Sequence, residues 1–154
     1  MKNLNLTPDQ IQWPESNYIF IEKVGPFMTT AKACWQELQP LMPQVAAMAK
    51  VSAACALYKI HPEMIYRAGV VVQQIPKGLP AGLQSEKFAG GKYARFVLKG
   101  SYAQLPEACG VVFNQVEKLK LPVRKSAFYI ENYVNDPKTT PEADLITEIL
   151  IPIE

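Results

Sequence analysis

The same landmarks occur twice in this chain, at a constant spacing of 75 residues. In each copy a tyrosine in an apolar run is followed by a glycine, an aromatic residue, an Ala-Cys pair, a second tyrosine and a proline. The shared order indicates an ancient duplication, so the fold must be one that two similar units build together. The matched positions are Tyr18 and Tyr93, Gly25 and Gly100, Phe27 and Tyr102, Ala33 and Ala108, Cys34 and Cys109, Tyr58 and Tyr133, and Pro62 and Pro137.

Both copies show the element order β-α-β-β. Strand-forming residues run together in each predicted strand, and apolar residues recur at three- and four-residue steps in each predicted helix. Glycine and proline separate the segments. The first copy is assigned a strand at 17–24, a helix from residue 27 to about 41, and strands at 52–60 and 65–75. The second copy is assigned a strand at 92–99, a helix at 105–119 and strands at 126–134 and 144–153, with an extra strand at 81–88 between the copies.

These elements predict one α+β domain over residues 1–154, with pseudo-repeats at about 10–76 and 81–154. Three strands of each copy are expected to form a curved antiparallel sheet, with one main helix of each copy across it. Two units packed side by side leave a cleft at their pseudo-twofold junction. Clefts of that kind are common small-molecule sites, so we expect the ligand there.

The charge and the cysteines narrow the possible partners. A formal net charge of +2, with scattered lysines and arginines, predicts neither nucleic acid nor a membrane as the partner. No segment reads as a secretory signal or a transmembrane span. Three cysteines without CxxC spacing and a single histidine argue against a metal site, and no cofactor is predicted. We expect a cytoplasmic protein with free thiols.

The segment FYIENY, residues 128–133, holds the main candidate residue. In a strand, Tyr129, Glu131 and Tyr133 share one face, so a carboxylate lies between two aromatic rings. Such a carboxylate attracts an organic cation with help from cation–π contacts, or acts as a general acid or base once desolvation raises its pKa. A solvent-facing glutamate on an exposed sheet is the third interpretation.

The repeat makes this face asymmetric. Ala54 and Ala56 stand where the second copy has Tyr129 and Glu131, so the face is small and neutral in one copy and bulky and acidic in the other. If both faces look into one cleft, the alanines leave room and Glu131 supplies charge from one side. Further aromatic residues that are candidates for the walls of this cleft are Tyr18 and Phe20 on the first strand, Tyr93, and Tyr102 after the strand-ending glycine.

An ordered set of motifs runs through residues 10–154. It comprises Gly91, Tyr93 and Phe96, then Gly100 and Tyr102, then Glu131 and Tyr133, then Asn135-Asp136-Pro137, then Ile151-Pro152, with Gly-Pro-Phe at 25–27 in the first copy. This set resembles the GyrI-like, or AraC-type effector-binding, domain family. The resemblance implies tandem β-α-β-β modules with a ligand groove between them, and it implies that Glu131 faces cationic or polar aromatic ligands.

Family regulators carry this domain fused to a helix-turn-helix unit. No such unit fits upstream of residue 10, so we do not expect this chain to bind an operator by itself.

The leading hypothesis is a protein that binds a drug-like, amphipathic or cationic small molecule. One alternative is a hydrolase of reactive electrophilic toxins with Glu131 as general acid or base, but no second acid or nucleophile is evident, so the residues favour binding over catalysis. Another is a protein-interaction module for a topoisomerase or a regulator, and a homodimer is also open. The predicted ligand-binding residues are Glu131, Tyr129, Tyr133, Tyr18, Phe20, Tyr93 and Tyr102.

Overall fold

Eight strands form one antiparallel sheet in the computed structural model, which describes residues 1–154. The strands are β1 Asp9–Trp13, β2 Ser16–Val24, β3 Val51–Lys59, β4 Ile65–Val72, β5 Gln84–Phe88, β6 Gly91–Lys99, β7 Tyr129–Tyr133 and β8 Ile146–Pro152. They lie side by side in the order β1-β6-β8-β7-β3-β4-β2-β5, and the sheet curls into a half-barrel. The predicted α+β class is confirmed.

Three α-helices complete the fold: α1 Phe27–Leu38, α2 Met42–Met48 and α3 Leu105–Lys118. α1 begins after Gly25, whose φ of 134° suits glycine and turns the chain out of β2. The helix predicted from residue 27 to about 41 ends at Leu38, where a short 3-10 turn follows. α2 then begins with Pro43 in its first turn, where a missing N–H is tolerated. None of the helices is long and apolar enough to cross a membrane.

The pairing of β3 with β7 joins the two copies. Ala54 pairs with Tyr133, Ala56 with Glu131, and Tyr58 with Tyr129. Adding 75 to a residue number on β3 gives its counterpart on β7, so this ladder is symmetric about the Ala56–Glu131 pair. The pseudo-twofold axis therefore passes through the middle of the sheet, beside Glu131.

Each copy contributes an edge strand that pairs with the other copy. β1 pairs with β6 of the second copy, with Asp9 opposite Arg95, and β5 pairs with β2 of the first copy, with Gln84 opposite Phe20. These pairs are 75 residues apart and equivalent under the pseudo-twofold, so β5 is the counterpart of β1. The strand predicted at 81–88 is present as β5, whereas β1 was not predicted because Pro14 and polar residues surround its two apolar positions.

Both faces of the sheet are covered. On one face, α1 and α3 pack over a core that includes Cys34, Leu38, Ala56 and Val112. On the opposite face lies a second core of aromatic and aliphatic side chains, whose members are Tyr18, Phe20, Cys55, Leu57, Tyr93, Ile130 and Leu150. Alternation along each strand decides which residues reach which core.

Candidate functional site

A cavity of about 820 Å³ lies on the helical face of the sheet, between α1 and the first part of α3. It is lined by 18 residues, 13 of them hydrophobic, so any ligand that fills it must present a large apolar surface. The first copy contributes Phe27, Met28, Ala31, Lys32, Trp35, Gln39, Ala54, Tyr58 and Tyr66. The second copy contributes Tyr102, Ala103, Leu105, Pro106, Cys109, Phe113, Glu131, Tyr133 and Pro137.

Glu131 projects from β7 into this cavity. One carboxylate oxygen, Oε1, accepts a hydrogen bond of 3.0 Å from the Tyr133 hydroxyl. The other, Oε2, accepts a 3.5 Å hydrogen bond from the thiol of Cys109 on α3. Glu131 takes part in none of the seven salt bridges of the structure, so its charge has no cationic partner in the protein.

Burial shapes the acid–base chemistry around Glu131. Desolvation raises the pKa of the Glu131 carboxyl, while the hydrogen bonds from Tyr133 and Cys109 lower it by a smaller amount. Burial, and then the negative charge of Glu131, also raise the pKa of the Cys109 thiol, so it is not a thiolate at neutral pH. The pKa of Tyr133 is raised for the same two reasons. The site therefore holds one ionisable acid among neutral hydrogen-bond donors.

Aromatic rings pack against Tyr133, the residue that donates a hydrogen bond to the carboxylate of Glu131. Trp35 and Tyr102 each meet the ring of Tyr133 edge-on, with ring centroids 5.4 Å away in both cases. The indole N–H of Trp35 donates to the hydroxyl of Tyr66 at 2.9 Å, which fixes the Trp35 ring. These contacts hold in place the ring of Tyr133, whose hydroxyl donates to Glu131.

Lys32 on α1 is the only other charged residue in the lining, and it is exposed. No group of three or more His, Cys, Asp or Glu side chains is arranged to hold a metal ion.

The structure brings together only part of the predicted site. Glu131, Tyr133 and Tyr102 line the cavity. Tyr129 lies on the same face of β7 as Glu131 and Tyr133, but it does not line the cavity. Its ring stacks on that of Tyr58, with centroids 5.3 Å apart, and meets Phe113 edge-on.

Three predicted residues lie on the other face of the sheet. Tyr18 and Phe20 stack on each other in the opposite core, and the Tyr18 hydroxyl donates to the carbonyl of Cys55 at 2.8 Å. Tyr93 is in the same core and donates to the carbonyl of Phe128 at 2.7 Å. The expectation that they share a cleft with Glu131 is corrected, because strand alternation turns their side chains away from the helices.

Most of the 18 lining residues lie outside the predicted ligand-binding set. Four of them, Trp35, Cys109, Tyr58 and Tyr66, hydrogen-bond or stack with the aromatic and acidic residues described above. Trp35 lies beside the apolar stripe of its helix, where a core position is expected, and Cys109 lies on the stripe of its helix, where a buried thiol is expected. Tyr58 and Tyr66 lie on β3 and β4 and face the cavity. The repeat held a signal for Tyr58, since its counterpart Tyr133 was already a candidate.

The fold is that of several solved structures. The C-terminal domain of EcmrR superimposes with a TM-score of 0.77 at 16% identity, over 96% of each chain. SAV2435, solved bound to tetraphenylphosphonium, gives a TM-score of 0.76 at 17% identity, over 96% of this chain and 93% of that one. A hydrolase from Listeria innocua gives 0.63 at 12% identity, over 97% and 93%. At these identities the likeness shows the fold alone.

Sequence comparison gives the family directly. No curated protein matches the chain significantly. Residues 6–154, nearly the whole chain, match the family described as the GyrI-like small molecule binding domain. The chain therefore belongs to the GyrI-like small-molecule-binding domain family.

Proposed function

We propose that this protein binds amphipathic organic cations in the cavity between α1 and α3. The observation that carries the proposal is the position of Glu131, a carboxylate without a cationic partner in a cavity lined mainly by apolar residues. A buried charge that the protein leaves uncompensated is costly, and a ligand cation compensates it.

The attraction between the Glu131 carboxylate and a ligand cation is strong enough to discriminate between charged and neutral ligands. At a separation of about 4 Å and an effective dielectric constant of 20, two unit charges attract by about 4 kcal/mol. Part of this is lost to desolvation of the two ions, and cation–π contacts with the surrounding rings add about 0.5–2 kcal/mol. A cation should therefore be favoured over a neutral molecule of the same shape.

The apolar lining supplies the rest of the affinity. Burial of apolar ligand surface contributes about 25 cal/mol per Å². SAV2435, which shares the fold, was solved with tetraphenylphosphonium, a bulky aromatic cation of the kind proposed here. That ligand is therefore a suitable first probe.

The experiment uses two ions of the same shape and opposite charge, tetraphenylphosphonium and tetraphenylborate. Calorimetric titration should show that the wild-type protein prefers the phosphonium. In Glu131→Gln the phosphonium should bind at least about tenfold more weakly, a loss of about 1.4 kcal/mol or more, while the borate binds no more weakly than before. Equal affinities of wild type and variant for the phosphonium would contradict the proposal.

A hydrolase is the second candidate function. It is favoured by the hydrogen bond between the Tyr133 hydroxyl and Glu131, and by the raised pKa of that carboxyl, which suit a general acid or base acting on a strained electrophile. Under this hypothesis Glu131→Gln still binds a neutral substrate but loses turnover by about 100-fold or more. Turnover that survives in this variant would exclude Glu131 as the catalytic group.

A further inference from the structure

The hydroxyl of Tyr58 lacks a hydrogen-bond partner. Four buried side-chain polar atoms in the structure are unpaired, on Trp13, Tyr58, Asn132 and Thr147. Tyr58 is the only one of these four residues that lines the cavity, and its side chain is 4% exposed. An unpaired buried hydroxyl is energetically unfavourable, so the Tyr58 hydroxyl is a hydrogen-bond donor that a ligand in the cavity can satisfy.

The pseudo-twofold explains why this hydroxyl is unpaired. Tyr58 on β3 corresponds to Tyr133 on β7, and Tyr133 donates to Glu131, the residue two positions before it. The residue two positions before Tyr58 is Ala56, which has no acceptor. The two tyrosines are thus equivalent in position, but only one of them has a protein partner.

Neighbouring rings fix the direction of the Tyr58 ring. It stacks on Tyr129 with centroids 5.3 Å apart and planes at 17°, and Phe27 meets it edge-on, also at 5.3 Å. Glu131 lies diagonally across the β3–β7 ladder, because it pairs with Ala56 rather than with Tyr58. Such diagonal neighbours have Cα atoms about 7–8 Å apart, roughly the span of one substituted ring.

We propose that the ligand carries a hydrogen-bond acceptor beside its cationic centre, and that the Tyr58 hydroxyl donates to this acceptor while Glu131 holds the cation. The inference rests on the proposed function, and it narrows the ligand class from apolar aromatic cations to cations with a carbonyl, ether or ring-nitrogen acceptor. Tyr58 then determines ligand specificity, because ligands that accept a hydrogen bond from its hydroxyl bind more tightly than ligands that do not.

The test uses two phosphonium ions of equal shape and charge. One is (4-acetylphenyl)triphenylphosphonium, and in the other the acetyl group is replaced by isopropenyl, which lacks the oxygen. Calorimetry should show that the wild-type protein prefers the acetyl compound by at least about fivefold, the factor that one hydrogen bond of about 1 kcal/mol gives. In Tyr58→Phe the preference should fall to near unity.

Tyr133→Phe is the matched control. Its hydroxyl already donates to Glu131, so its removal should affect both compounds alike and leave the acetyl preference of the wild type intact. Tyr58→Phe removes a single unpaired oxygen, and its melting temperature should be no lower than that of the wild type, which separates a binding effect from misfolding.

Two results would overturn the inference: a wild-type protein without preference for the acetyl compound, or an undiminished preference in Tyr58→Phe. If neither phosphonium binds the folded wild-type protein, the proposed function itself fails.

Discussion

Glu131 lies in the cavity without a cationic partner, so its ionisation opposes folding. Burial holds its pKa above the ordinary value of 4.5. Between that value and the raised one, the folded chain holds more protons than the unfolded chain, so this residue lowers stability as pH rises through the interval. Glu131→Gln should therefore be more stable than the wild type at pH 7, with the difference shrinking towards pH 4. Denaturant unfolding of both proteins across this range measures it, and a constant difference would contradict the raised pKa.

The Tyr133 hydroxyl stabilises the ionised form of Glu131. Its hydrogen bond lowers the pKa of that carboxyl, so Tyr133→Phe should raise the pKa further. Since a cation pairs with the ionised carboxylate, binding of tetraphenylphosphonium should strengthen with rising pH, and its midpoint should shift to higher pH in the variant. Titrations at several pH values, followed by calorimetry, would show the shift. An unchanged midpoint would mean that the hydroxyl does not tune the carboxyl.

At the residue level, the sequence predicts the geometry where neighbours along the chain decide it. Glu131 and Tyr133 lie on the same face because strand alternation requires it, and Tyr102 follows a glycine that turns the chain at the start of the helical segment. Tyr18 and Phe20 also share a face with each other, but alternation does not say which side of the sheet that face meets. That depends on strand order and register, which arise from contacts between distant parts of the chain.

At the level of the elements, β2 and β4 approach closely at Gly69. A Cβ atom there would lie 2.5 Å from Cζ of Tyr18, and it would also clash with the carbonyl oxygen of Ile19. Gly69→Ala should therefore destabilise the protein by about 1–3 kcal/mol, because Tyr18 is fully buried and the sheet backbone is fixed. Chemical denaturation measures the loss. A variant as stable as the wild type would mean that this strand pair adapts easily.

Gly110 on α3 provides the control for that substitution. No atom lies within 4 Å of a Cβ built there, and the residue is exposed in the middle of the helix. Gly110→Ala should stabilise the protein by about 0.5–1 kcal/mol, since alanine has the higher helix propensity. The stability changes expected for Gly69→Ala and Gly110→Ala have opposite signs. Comparing them therefore separates the effect of close packing from that of backbone freedom.

Helices and central strands were predictable because each carries a strong local pattern. The apolar steps along α1 and α3 and the β-branched and aromatic runs of β2, β6 and β8 match the structure closely. β1 was missed because its five residues, Asp-Gln-Ile-Gln-Trp, are strand only through pairing with β6. The strand predicted at 126–134 is shorter in the structure, because residues 125–127 form a turn in which the Ala127 N–H donates to the carbonyl of Arg124 at 3.1 Å.

For the whole molecule, the edge strands that pair with the other copy make the two copies interdependent. A fragment of residues 77–154 would lack β1, which covers the edge of β6, and β3, which pairs with β7. We expect this fragment to be unfolded at pH 7, whereas the full chain unfolds in one cooperative step. Circular dichroism during thermal denaturation distinguishes the two. A cooperative transition in the fragment would show that one copy folds without the other.

The central pairing of Ala56 with Glu131 has a consequence for how such a site arises. If two identical second copies assembled about the same axis, Glu131 would face its own image, and two buried carboxylates in contact would repel or share one proton. A symmetric homodimer cannot place one glutamate alone on its twofold axis, because every residue is present twice. Covalent fusion removes that restriction, because each copy can then mutate alone. The single carboxylate of this cavity is thus a product of broken symmetry.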